Sequence, residues 1–227
     1  FNYGIAPYNN AQSDTDLRWD YYTTTEIAAT NTVTMTSGKG YSIFTDSPLN
    51  ANTAKGKVGF KGAISTADVP ITLTDGTGTS GNLFNFIGNP YPSFLPFNTT
   101  ANATNLLTAN TGVLNEETIW LWDKATSAYI TVNQTTTVGG GANQRASLYI
   151  APAQGFFVKT KTGGGSFTFS EAIQEKQASG VFNRNTSTRP EINLSITDNT
   201  VSKNTLIYYY DGKTTGFDNG YDSSMFG

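Results

Sequence analysis

Three aspartates near the end of the chain, Asp211, Asp218 and Asp222, stand with Asn219 in a glycine-punctuated run, Asp211-Gly-Lys-Thr-Thr-Gly-Phe-Asp-Asn-Gly-Tyr-Asp222. Carboxylates and carbonyls on a flexible loop are the hard oxygen donors that Ca2+ prefers, so these residues are the candidate ligands of Ca2+, the one cofactor the sequence suggests. Their spacing is not that of an EF-hand loop, and the simpler reading is a solvated loop whose Asp side chains cap turns. A second chemistry lies in Trp120 and Trp122, which share one face of a strand, with Tyr129 across a short connection at 124–127. Exposed in one plane, these three rings would grip sugars. Buried, they are core, and core is favoured because large aromatics dominate buried area.

Acid–base hydrolysis of glycosides needs two carboxylates facing across a cleft, about 5–10 Å apart. Glu116 and Glu117 are adjacent and point to opposite faces of a strand, while Glu171 and Glu175 have the spacing of one solvated helical face. The chain has no His and no Cys. That removes Ser-His-Asp and Cys-His catalysis, thiol nucleophiles, disulfides and Cys-ligated zinc. No catalytic residues are assigned, and the chain is read as a non-enzyme.

The elements that would position these groups are strands. Phe, Tyr and Trp make up 13% of 227 residues, Gly numbers 23, and long amphipathic helical patterns are missing. The formal net charge of −3 comes without a basic run, so neither nucleic acid nor an anionic membrane surface is an expected partner. No apolar segment reaches the roughly 20 residues that span a bilayer as a helix.

Leu83 to Ser93 forms the organising stretch: Phe84 and Phe86 alternate with Asn85 and Ile87, then Gly88-Asn-Pro-Tyr-Pro-Ser93 turns the chain. Gly88 is expected to take a backbone conformation closed to other residues, and Pro90 and Pro92 to fix a rigid corner. The same rhythm opens the chain, where Phe1, Tyr3, Pro7 and Tyr8 match Phe84, Phe86, Pro90 and Tyr91 at a constant step. Trp19-Asp20 then recurs as Trp122-Asp123, and Gly40-Tyr41 to Thr45 as Gly155-Phe156 to Thr160. Three landmarks in one order imply an internal duplication. Strands are expected at 32–36, 40–45, 57–62, 69–74, 117–122, 128–132, 147–151, 155–160 and 166–169, the last two as a hairpin across Gly163-Gly164-Gly165. Ser170 to Gly180 is the one expected helix, capped by Ser170. Two further strands, 191–197 and 205–210, follow a linker.

Phe84 to Ser93, the Ile-Trp-Leu-Trp-Asp strand at 119–123, Tyr149 to Val158, Gly38 to Tyr41 and the closing Gly-Phe-Asp-x-x-Tyr-Asp at 216–222 carry a resemblance. Together they resemble a region of large secreted surface proteins of the Bacteroidota, found close upstream of the C-terminal sorting domain of the type IX secretion system. The resemblance implies export across the outer membrane and a β-rich part of an adhesin, filament or multidomain enzyme. It implies no catalytic residues. Because the family pattern continues beyond the Tyr-Asp motif, it also implies a fragment, a processed form, or a chain completed by a partner.

The expected architecture is all-β: two pseudo-repeated antiparallel sandwich units of jelly-roll type at 1–81 and 82–180, and a C-terminal β segment at 181–227. The expected role is a secreted or outer-membrane-surface module, structural, filamentous or adhesive. Its partners would be other cell-surface or secretion-system proteins, or further copies joined through sheet edges. A carbohydrate-binding module using Trp120, Trp122 or Tyr129, and an accessory domain of a secreted hydrolase, are the alternatives.

Overall fold

A computed structural model of the chain describes residues 3–22, 34–45, 61–76, 82–123, 128–134, 137–138, 149–176, 191–197, 202–208 and 210–224. The described chain is all-β with antiparallel sheets. Strands β1 (Tyr3–Pro7) and β2 (Tyr41–Thr45) form one pair, and β3 (Val69–Leu73) precedes the central strand β4 (Phe84–Gly88). Short β5 (Leu95–Pro96) leads to β6 (Leu114–Asp123), β7 (Ala128–Asn133) and β8 (Thr137–Val138). After β9 (Tyr149–Ile150) come β10 (Gly155–Thr160), β11 (Gly165–Phe169), β12 (Glu191–Thr197) and β13 (Ser202–Tyr208).

The main sheet runs β4-β10-β6-β7-β8, and β3 pairs with β11 beside it. Period-two alternation gives the main sheet two different faces. On one lie Ile87 opposite Phe156, then Val158, Ile119 and Val132 in register across three strands. All are buried and belong to one core with Leu73, Phe167 and Phe169 of the β3–β11 pair. The other face is aromatic: Phe86, Phe157 and Trp120 are in register, with Trp122 and Tyr129 paired in the next row. Tyr8 and Trp19 close over one end of that face, their rings 4.8 and 6.0 Å from Phe157.

Side-chain amides substitute for missing backbone partners around this core. Asn110 accepts from the Thr168 N–H and donates to the Thr168 carbonyl, extending β11 where no strand is available. Asn89 donates to the Ser93, Ile150 and Ala151 carbonyls and accepts from the Tyr91 N–H, so its side chain builds the corner. Gly88 does not take a positive φ, and a Cβ there would meet only ordinary contacts, so the expected glycine requirement at that position is not found.

The expected hairpin of β10 and β11 does not form. At 163–165 the chain leaves the main sheet, and β11 pairs with β3. Gly164, at φ +67°, lies directly over the Leu73 carbonyl. The expected helix at 170–180 is a single 3-10 turn over Glu171–Ile173, after which Gln174 is extended and Glu175 bridges Phe94. Its cap is remote: Asp68 accepts from the Glu171 N–H at 2.7 Å, while Ser170 makes no capping bond. Residues 34–36 and 61–62 are not in strands. The remainder of the strands expected at 32–36 and 57–62, residues 147–148, the linker, and the end of the expected helix lie outside the described residues.

The two sequence repeats are alike in one strand pair. β1 pairs antiparallel with β2 as β4 does with β10, but Ile87 stands opposite Phe156 where the motif alignment would put Pro90. The third landmark differs more. Residues 18–22 run beside β1, through bonds from Asp20 N to Pro7 O and Tyr22 N to Ile5 O, whereas β6 lies between β10 and β7. Because β3 of the first repeat pairs with β11 of the second, the sequence boundary at 81–82 does not coincide with a boundary between sheets. β12 and β13 pair with each other.

Candidate functional site

The aromatic face carries the residues expected to hold sugar, and it separates them. Trp120 is fully buried, with its ring 4.9 Å from Phe84 and its indole N–H donating to the Ser224 carbonyl at 3.2 Å. Trp122, two residues along the same face, is 56% exposed. Tyr129 lies opposite it in register and meets it edge-to-face at 5.1 Å and 68°. The rings are not coplanar, so a flat three-ring strip is not formed. Burial, and then the neighbouring Tyr8 phenol, push the Tyr129 hydroxyl up to about 12.

The difference between the two tryptophans comes from the C-terminal motif, which lies on the end of β6 and β7 as a clip. Asn219 accepts from the Glu117 N–H at 2.8 Å, Gly220 accepts from the Gln134 N–H, and the Tyr221 carbonyl accepts from Asn133. Ser223 bonds Thr118 and Asn133. Tyr221 in turn packs on Tyr210, and the Lys213 ammonium stands 3.6 Å over its ring.

The motif's carboxylates serve the clip itself. One oxygen of Asp218 accepts from the Thr214 N–H and hydroxyl, and Asp222 accepts from the Asp218 N–H at 2.7 Å. Asp211 is exposed on the preceding turn. Among the described residues no three Asp, Glu, His or Cys side chains are grouped to hold a metal, so Asp211, Asp218 and Asp222 do not form a Ca2+ cage in this arrangement.

Sequence reasoning missed the polar centre of this face. Glu116, almost wholly buried, forms an ion pair with Lys159 of β10 at 2.5 Å. The same carboxylate accepts from the Ser224 N–H at 2.7 Å and from the Ser224 hydroxyl, and Lys159 also donates to that hydroxyl. A register shift between Val158 and Thr160 makes the pair possible, because β6 bulges there and turns Glu116 inward. Nothing in the local spacing of Glu116 announces a bulge. Glu171 and Glu175 do not face each other across a cleft: Glu171 opens the 3-10 turn, and Glu175 accepts from Asn102.

With its one buried carboxylate neutralised and bonded on both oxygens, the arrangement has the chemistry of a latch and not of an acid–base pair. A family model described as a domain of unknown function, DUF8693, matches residues 6–227. No curated protein and no solved structure matches the chain.

Proposed function

The chain belongs to the DUF8693 family, and from that premise we propose that it is a non-catalytic extracellular β-module, structural, filamentous or adhesive, within a surface protein. The observation that carries this reading is where its buried polar groups go. Asn10, Asn82, Asn89, Asn98, Asn105, Asn110 and Asn133 all hydrogen-bond backbone, and Glu116 locks the C-terminal clip. Such a chain builds a stiff body from turns and staples without disulfides, as an exposed module requires. The sequence resemblance to Bacteroidota surface proteins supplies the location, export through the type IX route.

Antibody labelling of intact producing cells tests the location. Labelling without permeabilisation supports it, and recovery of the chain only in the cytoplasmic fraction would overturn it. Light scattering then decides between versions: a strict monomer at high concentration removes the filament subunit and leaves the stalk or adhesin module.

A further inference from the structure

We infer that the open face of Trp122 is a single-ring platform for a neutral, β-linked glucose-type sugar. This goes beyond the structural role and stands on separate observations. Trp122 is exposed although it lies in β6, an interior strand of the main sheet. Its orientation is fixed from the side, because Tyr129 meets it at 5.1 Å, Phe157 meets Tyr129 at 5.7 Å, and Tyr8 meets Phe157 at 4.8 Å. A ring held this way binds without a further cost of ordering the side chain.

The size of the patch selects the occupant. The row beyond Trp120 presents Trp122 and half-buried Tyr129. A stable protein interface needs about 800 Å2 from each partner, far more than one indole and a ring edge provide. One pyranose covers one indole. Because the Tyr129 ring is turned 68° from Trp122, the pair cannot stack two successive sugars, and the platform takes one.

Chemistry narrows it further. A pyranose with equatorial hydroxyls has flat C–H faces that lie against an aromatic face, and a rim of hydroxyls that seek polar groups at its edge. The Tyr129 hydroxyl supplies such a group beside the ring. Lys159, the cation on this face, is held by Glu116, so a charged sugar gains no counter-ion. β-linked glucose, with axial C–H bonds on both faces, fits this platform best.

Calorimetric titration of the full chain with cellohexaose and with laminarihexaose tests the inference. At least one should bind saturably with a Kd of about 1 mM or tighter, the range of a single stacked ring with few hydrogen bonds. Trp122→Ala should weaken that binding at least tenfold without lowering the unfolding temperature, since the ring is exposed, while Trp122→Phe should retain most of it. Tyr129→Ala, which removes the side support, should weaken it several-fold. Absence of saturable heat with both sugars, or equal affinity in Trp122→Ala, overturns the platform and leaves the surface-module reading untouched.

Discussion

The hydroxyl of Tyr91 donates to the carbonyl oxygen of Phe169 at 2.7 Å, tying the corner after β4 to the end of β11. The Ala67 carbonyl stands 2.9 Å from the same hydroxyl, so one side chain gathers three segments distant in sequence. Tyr91 is 2% exposed, and burial, with the charge of Asp68, raises its pKa. Tyr91→Phe should therefore cost about 1 kcal/mol through the lost bond. Tyr91→Ala should cost about 3–5 kcal/mol through the cavity as well. Denaturant midpoints measure both, and a wild-type midpoint in Tyr91→Ala would overturn the packing role.

How much of this could be read from sequence depends on how far apart the partners lie. The alternation of Phe84 and Phe86, the strands at 69–73 and 155–160 and the Asn-Pro-Tyr-Pro corner follow from local pattern, and they stand in the structure. Trp120 and Trp122 share a face as period two requires, yet only one is covered, and the cover is Ser224. No periodicity encodes a contact of that separation. The hairpin expectation at 155–169 failed for a related reason. Gly163-Gly164-Gly165 signals a turn, but a glycine run is compatible with either a return along the same sheet or a crossing to another.

The two neighbouring glycines of that crossing should respond differently to a methyl group. At Gly163, φ +90°, a Cβ meets nothing, so Gly163→Ala should cost about 1–2 kcal/mol, the backbone strain alone. At Gly164 the Cβ is driven into the Leu73 carbonyl as well, and the loss should be clearly larger. Equal midpoints for the two variants would mean that β11 does not cross β3 at this point.

Alkaline pH should weaken the fold through Tyr129. Its folded pKa of about 12 lies above the ordinary value of 10.0, so between these limits the unfolded chain releases a proton that the folded chain keeps. Stability is complete below pH 10 and falls as pH rises toward 12. Urea unfolding at pH 9, 10 and 11 should show the decline, and Tyr129→Phe should flatten part of it. An identical slope in that variant would remove Tyr129 as a cause.

Asp218 and Asp222 should support the clip without a metal. Unfolding temperatures with chelator and with millimolar Ca2+ should coincide, while Asp218→Ala, which frees the Thr214 N–H, should cost about 1 kcal/mol in either condition. A rise in unfolding temperature with Ca2+ that disappears in Asp218→Ala would restore these carboxylates as ligands.

The Glu116–Lys159 pair gives the sharpest test of the clip, because its two variants should be unequal and their combination milder than their sum. Glu116→Ala leaves an ammonium facing the aromatic side chains of Phe84 and Trp120 and also removes the acceptor of the Ser224 N–H. Stranding a buried partner in this way costs about 3–5 kcal/mol. Lys159→Met keeps the aliphatic packing and leaves Glu116 with both Ser224 bonds, so its loss should be smaller. Replacing both residues, Glu116→Gln with Lys159→Met, removes both charges while keeping an acceptor for Ser224. If the pair acts as a latch, the double variant should be more stable than Glu116→Ala. In Glu116→Ala alone, hydrogen exchange at residues 219–224 should rise toward that of an open segment, with β4 and β10 protected. Strict additivity, or exchange in Glu116→Ala unchanged at Ser224, would show that the clip is held by its Asn133 and Gln134 contacts without help from the buried charge.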